Sequence, residues 1–120
     1  MTKSLTQNYS VAGYHAKQKL GSRPALLLVD FAQAYFDPDA PLYGGKGCIT
    51  ARKHAITLAE VARASGILVI FTEVKYQPGG IDGGAFYAKV PALSCFDAGQ
   101  NTQRMADGLS VQSSDLLITK

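Results

Sequence analysis

The sequence of 120 residues is short of several things, and each shortage closes off a class of function. It has no run near the ~18 apolar residues that a membrane-spanning helix needs, and its start, MTKSLTQNYS, lacks the apolar core of a secretory signal. It has only two cysteines, Cys48 and Cys95, at no spacing suited to a metal site. It has no block of like charge: the formal charge is +3, but lysine and arginine are scattered from Lys3 to Lys120, without the aromatic and basic alternation that grips nucleic acid. No repeat or low-complexity tract interrupts it. These absences lead us to expect a cytoplasmic protein in a reducing compartment, with no metal, no cofactor, no nucleic-acid partner and no membrane partner.

What is present reads as one small folded domain. Hydrophobic residues make up 47% of the chain and charged residues 18%, a balance that favours folding over disorder. A polar leader, residues 1–22, precedes a domain expected over 23–120. After Arg23-Pro24, Ala25 to Val29 form a continuous apolar run that ends at Asp30. Continuous rather than alternating apolarity suits a parallel strand covered on both faces. A Pro/Gly-rich loop, DPDAPLYGGKG, leads into CITARKHAITLAEVARASG. There Ala51, Ala55, Leu58, Ala59 and Ala62 recur at helical spacing, opposite Lys53, Thr57 and Glu60. Gly66 is placed to end that helix, and Ile67 to Phe71 follow as a second strand, completing a strand-helix-strand crossover.

The next connection, Lys75 to about Ala98, is long, with two Gly-Gly pairs that read as hinges and one short helical stretch around Ala85 to Lys89. A weak helix is expected over Asn101 to Leu109. DLLITK then supplies a third strand, read as buried. The fold class is therefore α/β, a parallel sheet in which ligands gather at the C-terminal ends of the strands. Asp30, the Thr72-Glu73 pair and Lys120 close the three strands at that rim. Read plainly, Asp30 caps a loop and Lys120 is a solvated lysine. Read as a site, they form an ion pair.

Motif spacing removes several alternatives. A phosphoaspartyl hydrolase wants a second aspartate two residues after the first, where Ala32 stands. A P-loop needs Ser or Thr after its lysine, whereas Gly47 follows Lys46, and GGIDGG does not open a helix directly after a strand as a dinucleotide fingerprint would. Cys48, just ahead of the long helix, and Cys95 lack a placed base or oxyanion site, so each reads as a small packed thiol. His15 and His54 read as solvated or packing residues. Around the two loops, Phe31, Tyr35 and Tyr43, and then Lys75, Tyr76, Phe86 and Tyr87, are either pocket walls or simple packing.

The stretches RPALLLVDFAQAYFDPDAPLYGG, GILVIFTEVKYQPGG, GGAFYAKVPAL and SSDLLITK together resemble the isochorismatase-like cysteine hydrolases, in particular their N-carbamoylsarcosine and maleamate amidohydrolase branch. The resemblance runs from Arg23 to Lys120. It implies a three-layer, Rossmann-like α/β fold, and an Asp-Lys-Cys triad whose aspartate falls on Asp30 and whose lysine falls on Lys120. The nucleophilic cysteine would come from a later strand-to-helix turn, so the sequence reads as the N-terminal part of such a domain, with the sheet truncated after its third strand and, with one strong helix for three strands, much apolar strand surface left bare. The resemblance further implies a small amide or carbamoyl substrate contacted by Phe31, Tyr35, Glu73 and Tyr76, release of ammonia without a metal, and a homo-oligomer in the complete protein. A non-catalytic α/β binding or oligomerisation module is the alternative.

Overall fold

The computed structural model describes residues 2–120. It contains a three-stranded parallel sheet, β1 (Ala25–Val29), β2 (Leu68–Glu73) and β3 (Leu116–Thr119), in the order β1-β2-β3. Three α-helices accompany it: α1 (Leu5–Val11), α2 (Gly45–Ala64) and α3 (Gly84–Lys89). The register sets Leu28 beside Phe71 and Val29 beside Thr72, then Thr72 beside Ile118 and Glu73 beside Thr119. None of the described helices is long and apolar enough to cross a membrane.

α2 begins three residues before the expected Cys48 and spends its inner face on alanine. Ala55, Ala59 and Ala62 are buried against Leu28, Val69 and Phe71. These small side chains bring the helix axis close to the sheet and leave the bulk to the strands. Leu58, expected in the core, is half exposed. At about 100° per residue it sits ~60° round the helix from Ala55, off the narrow alanine stripe. The helix ends as Gly66 foretold. Its φ of +70° allows the amides of Gly66 and Ile67 to close back on the carbonyls of Arg63 and Ala62, at 3.1 and 2.8 Å.

Two expectations about burial are corrected. β1 is not covered on both faces, since Leu27 and Val29 are each more than half exposed, and all four residues of β3 are exposed. The register explains part of this: Leu27, Ile70 and Leu116 share one face, as do Val29 and Ile118, and α2 packs on the other, whereas Leu117 and Thr119 lie on the α2 face but beside a helix whose buried alanines pack on residues of β1 and β2. One layer of helix covers one face of a sheet whose composition suits two.

The segment Asn101 to Leu109 is not the expected helix but a series of turns with an isolated bridge between Met105 and Ala32. Its carbonyls are taken by a distant loop: Ala34 donates to Thr102 O, and Gln33 to Arg104 O, both at 2.9 Å. In return, the Ala106 amide donates to Phe31 O at 2.8 Å. These tertiary bonds satisfy groups that a helix would have paired internally. In the long connection, Pro91–Phe96 forms a 3-10 helix that the sequence did not signal. Two of the glycines before it, Gly80 and Gly83, are held by a close contact. A Cβ on Gly80 or Gly83 would collide with the Tyr87 side chain, whose hydroxyl donates to the buried Asp97 at 2.9 Å. These two are close-approach glycines beside a tyrosine, whereas Gly79 and Gly84 have open space.

The leader contains α1, which opens with a capping box in which Ser4 and Gln7 each accept the other's backbone N–H. None of its residues is buried. The radius of gyration, 18.9 Å, exceeds the ~14 Å of a compact chain of this length, as an arm lying outside the core requires.

β3 is fastened at its start by Arg63 of α2, whose Nη2 and Nε lie 2.6 and 3.2 Å from the two oxygens of Asp115. Replacing Asp115 with alanine is expected to cost about 2 kcal/mol in urea denaturation, between the values for exposed and buried pairs. The Arg63 hydrogen bonds hold the Asp115 carboxyl below its ordinary pKa despite burial. This contribution is therefore complete above about pH 4 and is lost as pH falls through the lowered value. A second expectation concerns the glycine loop. Gly80→Ala, with φ of +69° and no room beside Tyr87, should cost about 2 kcal/mol. Gly79→Ala, with open space, should cost only the left-handed backbone penalty of about 1 kcal/mol.

Candidate active site at the strand rim

The three strands deliver their last residues to one end of the sheet, and there the two charges singled out in the sequence meet. Lys120 Nζ lies 2.7 Å from Asp30 Oδ2, although β2 stands between their strands. The lysine is long enough to cross one strand spacing of about 4.8 Å on each side of β2. Its backbone is anchored for that reach: the Lys120 amide donates to Glu73 O at 2.8 Å, and the Lys75 amide donates to Lys120 O at 3.3 Å.

Asp30 is aimed by its own backbone. Its φ of +57° makes it the only non-glycine residue with positive φ among the described residues. Strict alternation would put its side chain on the Leu28 face, against α2. The left-handed residue breaks that alternation, and the carboxylate instead meets Thr72, the register partner of Val29. Thr72 Oγ1 donates to Asp30 Oδ1 at 2.6 Å. Partial burial pushes the Asp30 pKa up, but the hydrogen bonds from Lys120 and Thr72 and the charge of Lys120 outweigh it, so the carboxyl lies below its ordinary value. Asp30 is thus a carboxylate at neutral pH, with a cation against one oxygen and a hydroxyl against the other.

Beside it lies a concavity of about 190 Å³ lined by Val29, Asp30, Phe31, Tyr35, Phe36, Cys48 and Ala51. The rings of Phe31 and Phe36 stack with centroids 6.2 Å apart. The Tyr35 hydroxyl is raised above its ordinary pKa, first by burial and then by the negative charge of Asp30. A small apolar-walled site with one ionised corner results, suited to a compact, partly polar molecule. Phe31 and Tyr35 therefore stand with Asp30.

Glu73 and Tyr76 are engaged elsewhere. Glu73 accepts Gln103 Nε2 on one oxygen at 3.1 Å and Thr119 Oγ1 on the other at 2.9 Å, with Lys75 Nζ at 3.9 Å. Tyr76 bridges to Asp97 and packs edge-on against Tyr87, with centroids 4.9 Å apart. Tyr43 and Phe86 are exposed, and Cys95 is buried under the loops beside Phe96. Cys48, half-buried at the start of α2, faces the concavity. His15 bonds the Ser10 hydroxyl at 2.8 Å within the leader.

Sequence reasoning placed Thr72 at the rim without giving it a role, set Gln103 only on the expected weak helix, and did not pair Arg63 with Asp115. Thr72 had a usable signal, because a hydroxyl one strand away from a rim aspartate can bond it. Gln103 had none, since it reaches Glu73 only through the non-helical path of residues 101–109.

No family model matches the chain. Over 101 residues it is 35% identical to maleamate amidohydrolase of Pseudomonas putida, covering 83% of this chain and 47% of that protein. Over 91 residues it is 31% identical to N-carbamoylsarcosine amidase of an Arthrobacter species, covering 72% of this chain and 34% of that protein. Among solved structures, a cysteine hydrolase from Pseudomonas syringae pv. phaseolicola superposes with a TM-score of 0.72 at 23% identity, over 82% of this chain and 46% of that one. The chain thus spans half or less of the length of the curated relatives it matches.

The contact at the centre of this site can be tested directly. In Lys120→Met, which keeps the length but removes the charge, the Asp30 carboxyl should titrate at higher pH than in the unsubstituted chain, read by 13C NMR of the carboxyl carbon. An unchanged midpoint would place Lys120 away from Asp30.

Proposed function

From the kinship of this chain with maleamate amidohydrolase and N-carbamoylsarcosine amidase, and from its isochorismatase-like cysteine-hydrolase fold, we propose that it supplies the acid-base half of an amidohydrolase. The reaction is cleavage of a C–N bond in a small amide or carbamoyl compound, with ammonia as product. The observation that carries this reading is the 2.7 Å contact between Asp30 and Lys120 beside a small apolar concavity.

In this proposal the nucleophile is a cysteine outside the 120 residues. A thiol attacks poorly until it is ionised. Asp30, ionised at neutral pH, accepts the thiol proton on a lone pair left free by Lys120 and Thr72. The ammonium of Lys120 offsets the negative charge of the thiolate and then of the tetrahedral adduct. Collapse of that adduct breaks the C–N bond, the proton passes to the leaving nitrogen, and ammonia departs. Water cleaves the resulting thioester and returns the thiol. Phe31 and Tyr35 wall the substrate, whereas Glu73 and Tyr76, engaged by Gln103, Thr119 and Tyr87, support the loops around it. A homo-oligomeric parent and a cytoplasmic location belong to the same proposal.

A second reading is favoured by one observation: Leu27, Val29 and Ile118 expose an apolar sheet face, which suits a binding or oligomerisation module. The two readings part on a simple experiment. The 120-residue chain alone should release no ammonia from carbamoyl or maleamic-type substrates. The same chain expressed with its downstream coding sequence, through a cysteine at a strand-to-helix turn, should release it, and Asp30→Asn should lower that rate about a thousandfold or more. Turnover by the 120 residues alone, abolished by Asp30→Asn, would contradict the assignment of the nucleophile. A stop codon directly after Lys120 would favour the module.

A further inference from the structure

We propose that Thr72 is a positioning residue for Asp30: its side-chain hydroxyl, locked between the Asp30 amide and the Asp30 carboxylate, fixes the left-handed backbone and the orientation of the proposed base. Its catalytic meaning rests on the amidohydrolase reading, whereas the geometry does not.

Two bonds define the lock. The Asp30 N–H donates to Thr72 Oγ1 at 3.1 Å, and Thr72 Oγ1 lies 2.6 Å from Asp30 Oδ1. A backbone N–H can only donate, so the hydroxyl must accept it. A threonine hydroxyl has a single proton, and the carboxylate oxygen is an acceptor, so that proton goes to Oδ1. Donor and acceptor roles are thus both assigned, and one side chain holds both ends of one residue. The same amide also reaches Thr72 O, at 3.2 Å.

The lock answers a specific need. An aspartate at φ of +57° carries a steric cost of about 1–2 kcal/mol, and such a conformation persists only where its surroundings hold it. Thr72 is buried in the central strand, paired in register with both Val29 and Ile118, so it is a rigid support. Lys120, by contrast, has a half-exposed side chain just past the end of an edge strand. Thr72 therefore sets where the carboxylate points, and Lys120 supplies charge to a carboxylate already placed. The hydroxyl occupies Oδ1 and leaves the rim side of Oδ2 to the lysine and an incoming proton donor. The other ionisable groups around the carboxylate are Tyr35, from the loop after β1, and Cys48 of α2, which lines the same concavity.

The test uses the 120-residue chain and three forms of it: unsubstituted, Thr72→Val and Thr72→Ser. The readout is the titration of the Asp30 carboxyl carbon by 13C NMR. Valine keeps the shape and removes the hydroxyl, so the Asp30 midpoint should rise, and the exchange protection of the Asp30 amide should fall about fivefold, the worth of one hydrogen bond. Serine should restore both. A purely packing role would show the reverse, with valine harmless and serine damaging, and that result overturns the proposal. In the unsubstituted chain, the Thr72 side-chain resonances should titrate with the Asp30 midpoint. Resonances that ignore it would overturn the proposal even if the valine form does not fold. None of these readouts needs turnover, so a parent protein that hydrolyses no amide would end the functional reading and leave them standing. If the parent is active, Thr72→Val should lower kcat with little change in KM and move the acidic limb of the pH profile upward, with Thr72→Ser near the original.

Discussion

A carboxylate and an ammonium held 2.7 Å apart across an intervening strand impose conditions on nearly every part of this domain. β1, β2 and β3 must run parallel so that their ends share a rim. Their register must bring Val29, Thr72 and Ile118 level, and β3 must continue just far enough for a lysine to lean over β2. Asp30 must leave the regular strand conformation to meet it. Shifting β3 by one residue would turn the lysine toward the α2 face. The Arg63–Asp115 pair at the start of β3, and the hold of Glu73 on Thr119 at its end, fix that register from both sides.

The same sheet is only half enclosed. The alanine stripe of α2 allows a close seal over Leu28, Val69 and Phe71, whereas the opposite face presents Leu27, Val29, Leu116 and Ile118 to solvent. Polar detail is nonetheless complete: no buried side-chain nitrogen or oxygen among the described residues lacks a hydrogen-bond partner. Buried polar groups are expensive to leave unpaired, and the buried Glu73, Asp97 and Gln103 each have partners. What one helix layer leaves bare is apolar, and apolar surface constrains a partner by area more than by geometry.

Much of this was legible in the chain. β1, α2 and β2 carry strong local signals, because a continuous apolar run and a 3.6-residue alanine period each correspond to one backbone conformation. Gly66 marked the helix end because only a left-handed residue closes that turn. Asp30 and Lys120 could be paired because parallel strands gather their C-terminal ends. The failures share a cause. Residues 101–109 have helical spacing, yet their carbonyls are drawn off by Gln33 and Ala34, some 70 positions earlier. The contact of Gly80 and Gly83 with Tyr87 could not be seen in the local pattern, which shows only two glycine pairs. Leu58 and β3 were placed in the core by their local composition, whereas the count of elements, one strong helix for three strands, already pointed to bare apolar sheet surface. Local signals located the elements, and contacts between distant segments decided the rest.

The most direct test of the account is whether the ammonium of Lys120 is hydrogen-bonded to the carboxylate of Asp30 in solution. NMR of the 120-residue chain labelled with 15N and 13C, at low temperature and neutral pH, can detect coupling between the Lys120 side-chain nitrogen and the Asp30 carboxyl carbon through that bond. A resolved coupling and slowed proton exchange at Lys120 are expected. Absence of the coupling, with Lys120 exchanging as freely as the exposed Lys17 of the leader, would contradict the hydrogen bond.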